Sequence, residues 1–180
     1  MVRADEGPDA PIEAQTGLRE EAASLVRLVD AEGWRLAPTA GEQARSFLGR
    51  LIGGGESEAA GPDPVEAYLE TADSGDPAGD LIRLTAKAET VVQRANAVAG
   101  ASRPLTVASL ERDIAAAESA LGAVRAASAF FAEAGARTTA PSQAFAQRLA
   151  DLKSAEGSLA ETADALAARR WAQDAGALTG

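Results

Sequence analysis

The chain has neither cysteine nor histidine. Without cysteine there are no disulfides and no thiolate metal ligands, and redox chemistry says nothing about compartment. Without histidine there is no Ser-His-Asp or Cys-His nucleophile system, no zinc site with imidazole ligands and no phosphorelay on histidine. The Glu-x-x-His pattern that holds di-iron centres in helical bundles is excluded on the same ground. Aromatic residues are scarce at 4%. Lysine occurs only as Lys87 and Lys153. Runs of alternating β-branched and aromatic residues are missing, so no segment argues for a strand. Basic and aromatic residues do not interleave as they do on nucleic-acid platforms, and no nucleic-acid partner is expected. Gly53-Gly54-Gly55 lacks the Lys-Ser/Thr of a phosphate-binding loop and follows a helical segment, so it is no phosphate cradle. No apolar run approaches the length of a membrane span, and Met1–Pro8 lacks the apolar stretch of a signal peptide. A cytoplasmic location without a transmembrane segment is therefore expected.

What the chain does have is alanine. Of its 180 residues, 46% are hydrophobic, and alanine dominates that share. Alanine is the best helix former because it loses no side-chain entropy in a helix. It also buries little area, so an alanine-rich core depends on close approach of helices. The length fits one domain. The net charge of −10 is unevenly spread: residues 1–80 carry 17 acids against 6 bases, and residues 81–180 carry 10 against 11. The acidic half would repel a duplex or an anionic membrane. It fits a basic partner or plain solubility, and solubility is the simpler reading.

Read along the chain, residues 1–11 form a polar tail expected to be disordered. A first helix is expected over 12–32, with Leu18, Ala22, Leu25 and Val29 on one face and Gly33 as its terminator. Trp34 and Leu36 are placed to fold back onto the bundle end. A short helix over 41–52 carries Ala44, Phe47, Leu48 and Leu51 inward. Residues 53–63 read as a mobile loop. Asp63-Pro64 and Asp76-Pro77 are both helix starts, with Asp as the cap and Pro in the first helical position. The first opens a short helix with Val65, Tyr68, Leu69 and Ala72 inward. The second opens a long one with Leu81, Leu84, Ala88, Val91, Ala95 and Val98, closed by Gly100.

Two helices of about 30 residues follow. Val107, Leu110, Ile114, Ala117, Leu121, Val124, Ser128 and Phe131 keep a 3-4 rhythm up to Gly135. Pro141-Ser142 starts the next run: Phe145, Leu149, Leu152, Glu156, Leu159, Ala163 and Leu166, with Trp171 beyond. A mean spacing of 3.5 residues implies left-handed, knobs-into-holes packing. The short link makes these two helices antiparallel neighbours. The expected fold is all-α: an antiparallel, left-handed four-helix bundle with one or two short extra helices in a crossover. Residues 12–176 form the single domain.

Carboxylates are the main catalytic groups that remain. Glu66, Glu70, Asp73, Asp76 and Asp80 form the densest cluster. Glu70 and Asp73 are three apart on one helix face and are the only metal-ligand candidates raised. This Glu-x-x-Asp resembles half of the pattern of the all-α nucleotide pyrophosphohydrolases. The other half, Glu-x-x-Glu, occurs nowhere in the chain, and Glu161 with Asp164 repeats the same cheap match. Capping is the simpler role for Asp73 and Asp76. Glu156 falls on the apolar stripe; a slight drift would put Ala155 in the core and leave Glu156 at the edge near an arginine. Of Phe130 and Phe131, one ring must face the core, and the other lies on a second chain or under the crossover. Arg169, Arg170 and Trp171 are the partner-binding candidates, since Arg and Trp are enriched at binding hot spots. They fit equally well as a charge complement to a helix C-terminus with Trp171 covering the bundle end.

No catalytic residue and no cofactor is assigned. The leading expectation is a non-catalytic interaction protein, an adaptor, an assembly or secretion chaperone or a structural component, with a protein partner or self-association. A granule or lipid-surface coat is one alternative: the chain resembles the phasin-like proteins only in composition and in lacking cysteine. A carboxylate-metal hydrolase is the other.

Overall fold

A computed structural model describes residues 10–36, 63–72 and 77–178. These form five helices: α1 (Ala10–Glu32), α2 (Pro64–Ala72), α3 (Pro77–Ala99), α4 (Val107–Arg137) and α5 (Gln143–Leu178). There is no strand among the described residues. The short helix expected over 41–52 and all but the last residue of the 53–63 loop lie outside them. So do residues 1–9. Ala10 and Pro11, however, belong to α1 rather than to a tail. The first turn of a helix has no partner for its amides, so Pro11 costs nothing there.

Each helix end is set by local chemistry. Gly33 ends α1 with a positive φ of 71°. Its N–H donates to Asp30 O, and the Trp34 N–H donates to Val29 O. This is the paired bond pattern of a Schellman motif, with the indole at the position that packs back on the helix. Asp63 caps α2: its Oδ1 accepts from the Val65 N–H at 2.9 Å. Thr106 caps α4 by accepting from the Ser109 N–H at 3.2 Å. Ser142 caps α5 by accepting from the Phe145 N–H at 3.1 Å. Gly135 does not end α4, which continues to Arg137. Its role is close approach: a Cβ on Gly135 would come within 3.0 Å of the Phe145 ring.

The four long helices alternate in direction along the chain. Lys87 bonds Ser24 and Arg83 pairs with Glu32, so α1 and α3 run antiparallel. Arg125 reaches Glu156 and Arg170 reaches Glu111, so α4 and α5 do too. Arg19 meets Asp113 near the starts of α1 and α4, and Trp34 meets Phe131 near their ends. Those two helices are therefore parallel neighbours. Thr162 with Asn96, and Arg169 with the Val98 carbonyl, set α3 and α5 side by side in parallel. Each of α1 and α5 packs on both α3 and α4, which leaves α1 and α5 on a diagonal. The two hairpins, α1/α3 and α4/α5, thus lie flat against each other, and the short link from α3 to α4 crosses the other diagonal.

The stripes named from the sequence are the core. Leu18, Ala22, Leu25 and Val29 are buried, as are Leu81, Leu84, Ala88, Val91, Ala95 and Val98. On α5 the buried residues include Phe145, Leu152, Ala155, Leu159, Ala163 and Leu166. Ala155 takes the seam position, and Glu156 sits half-buried at the edge, 3.4 Å from Arg125. On α4 the stripe differs from the one expected: Asp113 is fully buried and Ile114 only half-buried. The buried face of α4 is also broad, taking in Ala120, Ala123 and Ala127 beside the rhythmic positions. A helix touching α1 on one side and α5 on the other needs a face wider than a two-helix seam.

The breadth of apolar surface on α4 corrects one expectation. By length and composition α4 is apolar enough to cross a membrane, whereas the sequence was read as having no such run. The difference lies in alanine, which raises the hydropathy of exposed and buried positions alike. Half of the apolar stretch is buried inside the bundle.

Five aromatic rings gather at one end. Trp34, Tyr68, Phe130, Phe131 and Phe145 contact one another edge to face, with centroids 5.1 to 6.4 Å apart. Both Phe130 and Phe131 are buried, with Tyr68 of α2 against each. Arg83 lies 5.6 Å from the centre of the Trp34 ring, and the Tyr68 hydroxyl donates to Asp80 at 3.2 Å. Asp63 pairs with Arg137, which also holds Glu133.

Three stability measurements test this packing. Leu159 is fully buried, and Leu159→Ala should cost about 2–5 kcal/mol in denaturant unfolding. Leu121, slightly exposed, should cost less; a loss below about 1 kcal/mol at Leu159 would reject the register. Thr85 on α3 has a buried hydroxyl with no hydrogen-bond partner among the described residues. Thr85→Val keeps the shape and removes the desolvation cost, so it should stabilise by about 1 kcal/mol, read as a rise in melting temperature of about 2–4 °C. The hydrogen bond from Arg137, and then that from the Val65 N–H, hold the Asp63 carboxyl below its ordinary value of 3.8. A carboxyl lowered by folding adds stability that is present above its ordinary value and lost as pH falls through the folded one. The difference in melting temperature between wild type and Asp63→Asn should therefore shrink as pH falls below about 4. A difference that does not change across that range would break the assignment.

Candidate functional site

The end of the bundle opposite the rings is polar, and there the three partner-binding candidates separate. Arg169 faces inward over the end of α3. Its Nη1 donates to the carbonyls of Val98 at 2.5 Å and Ala99 at 2.9 Å, and its Nη2 to that of Arg103 at 2.6 Å. The last carbonyls of a helix have no partner within it and carry its negative dipole end. Arg169 answers both needs and holds the α3–α4 link in place. It is a half-buried capping residue supplied by another helix.

Arg170 turns toward α4, between Glu111 at 3.0 Å and Asp174 at 3.5 Å. Its guanidinium carbon lies 5.2 Å from the centre of the Trp171 ring. Trp171 itself is 66% exposed. It does not cover the bundle end, the second role considered for it. Five residues past Leu166, it lies about 140° around the helix from the seam. Around it Ala168, Ala172 and Ala175 are exposed as well. Among the described residues the other exposed large apolar ones, Leu36 and Ile82, belong to the ring-bearing end.

The same half of the bundle holds a buried ion pair between α1 and α4. Asp113 is fully buried and accepts from Arg19 Nε at 2.7 Å. Arg19 Nη2 reaches Ser109 Oγ at 3.0 Å and the Ser109 carbonyl. A buried carboxylate is tolerated when a cation and hydrogen bonds compensate it. The signal was in the sequence: Leu110, Asp113, Ala117, Ala120, Val124, Ala127 and Phe131 keep the 3-4 rhythm. An acid on a core stripe, with a base beside the Leu18 stripe of another helix, is the signature of such a pair. Thr162 is a second polar group in a seam, bonded to Asn96 Oδ1 and the Ser158 carbonyl. These groups join helices. None is an acid or base standing in an open cleft.

The carboxylate cluster does not assemble within the described residues. Glu70 is exposed on the last turn of α2, and Asp73 and Asp76 lie outside them. Asp80 is engaged by Tyr68 and Arg83. Glu161 and Asp164 are exposed. Among the described residues no three carboxylates come together in a way that could hold a metal ion.

A double-mutant cycle tests the buried pair. Arg19→Ala leaves the Asp113 carboxylate uncompensated and should cost about 3–5 kcal/mol in denaturant unfolding. Arg19→Met with Asp113→Leu should recover most of that loss, since apolar replacements of similar size are often neutral. A cost below about 1 kcal/mol for Arg19→Ala would mean the pair behaves as a surface one.

Compared with protein-family models, curated proteins and solved structures, the chain matches none.

Proposed function

We propose that the chain is a non-catalytic helical interaction protein that engages a protein surface through the end of α5 around Trp171. The observation that supports this is the exposure of the indole beside a guanidinium already neutralised by Glu111 and Asp174. An indole presents a large rigid surface at low entropic cost, and Trp and Arg are among the residue types most enriched where binding energy concentrates. The alanines on either side offer a partner close access to the helix backbone. The absence of cysteine and histidine from the whole chain removes the commonest nucleophile systems and leaves binding as the simplest use of the fold.

The test separates binding from folding. Trp171 is 66% exposed, so Trp171→Ala should leave stability within about 0.5 kcal/mol of wild type. A photo-reactive phenylalanine analogue at position 171, expressed in living cells, should give a discrete adduct. The same group at Ser119, exposed on α4, should not. Light scattering on the purified chain then assigns the partner: a concentration-dependent mass that Trp171→Ala abolishes means self-association, and a constant single-chain mass means another protein. No adduct at 171, with a mass that the substitution does not alter, would overturn the reading.

A further inference from the structure

We draw no further inference here: the strongest candidate, the exposed face of α5 along Ala150, Ser154, Ser158, Ala165, Ala168 and Ala172, is a stripe of small residues, and nothing in the structure shows what covers it.

Discussion

The knot of aromatic rings at one end of the bundle is the interaction on which the other packing depends. Where alanine fills the interior, as at Ala88, Ala95, Ala117, Ala120 and Ala127, little is gained per residue, because each methyl removes little surface from water. A single aromatic ring buries roughly 150–250 Å². The bundle places five of them together and draws on four helix ends to do it. Trp34 comes from the turn after α1, Tyr68 from α2, Phe130 and Phe131 from α4, and Phe145 from the first turn of α5. Arg83 over Trp34 and Asp80 on Tyr68 add the start of α3. Every described helix therefore meets at this end. Gly135 is part of the same constraint, since a side chain there would press on Phe145. From this knot the helices run side by side toward the other end, where Leu18, Val98, Leu110 and Leu166 are buried with alanines between them.

That opposite end is held by a different physics. Charge replaces aromatic area: Arg19 compensates Asp113, and Arg169 gathers the carbonyls that end α3. Such interactions are directional, so they fix register where alanine packing alone would allow sliding. The diagonal link from α3 to α4 makes this necessary. The carbonyls of Val98, Ala99 and Arg103 lie where no helix continues; the Ala101 N–H answers the first, and Arg169 gathers all three. Thr162 acts in the same way, tying α5 at one level to the exposed Asn96 of α3.

Periodicity made the long helices and their caps legible, because burial on one face imposes a 3-4 rhythm that few alternatives reproduce. It recovered the α3 stripe residue by residue. It also placed Ala155 in the seam with Glu156 beside an arginine. It failed where a residue's chemistry and its position disagree. On α4 both Asp113 and Ile114 continue the rhythm from Leu110 to Ala117, and hydrophobicity favours Ile114, whereas the ion pair with Arg19 puts Asp113 inside. Gly135 was read as a stop signal because glycine ends helices more often than it clears space for a ring. The crossing of the α3–α4 link could not be read at all. The order of helices around a bundle depends on which faces meet, and four similar alanine-rich stripes do not say which.

The candidate site shows the same limit at its sharpest. Arg169, Arg170 and Trp171 read as one motif in the sequence, yet consecutive helical residues point about 100° apart. No single role can occupy all three. The first closes over α3, the second turns to α4, and only the third is left facing outward. This division makes a functional claim separable from a structural one. Removing Arg169 strips a cap, and removing Arg170 breaks a bridge to Glu111, so loss of binding in either variant has two explanations. Removing Trp171 leaves the Arg169 cap and the bridge from Arg170 to Glu111 in place and forfeits only the contact of its ring with Arg170, so of the three substitutions it best separates binding from folding.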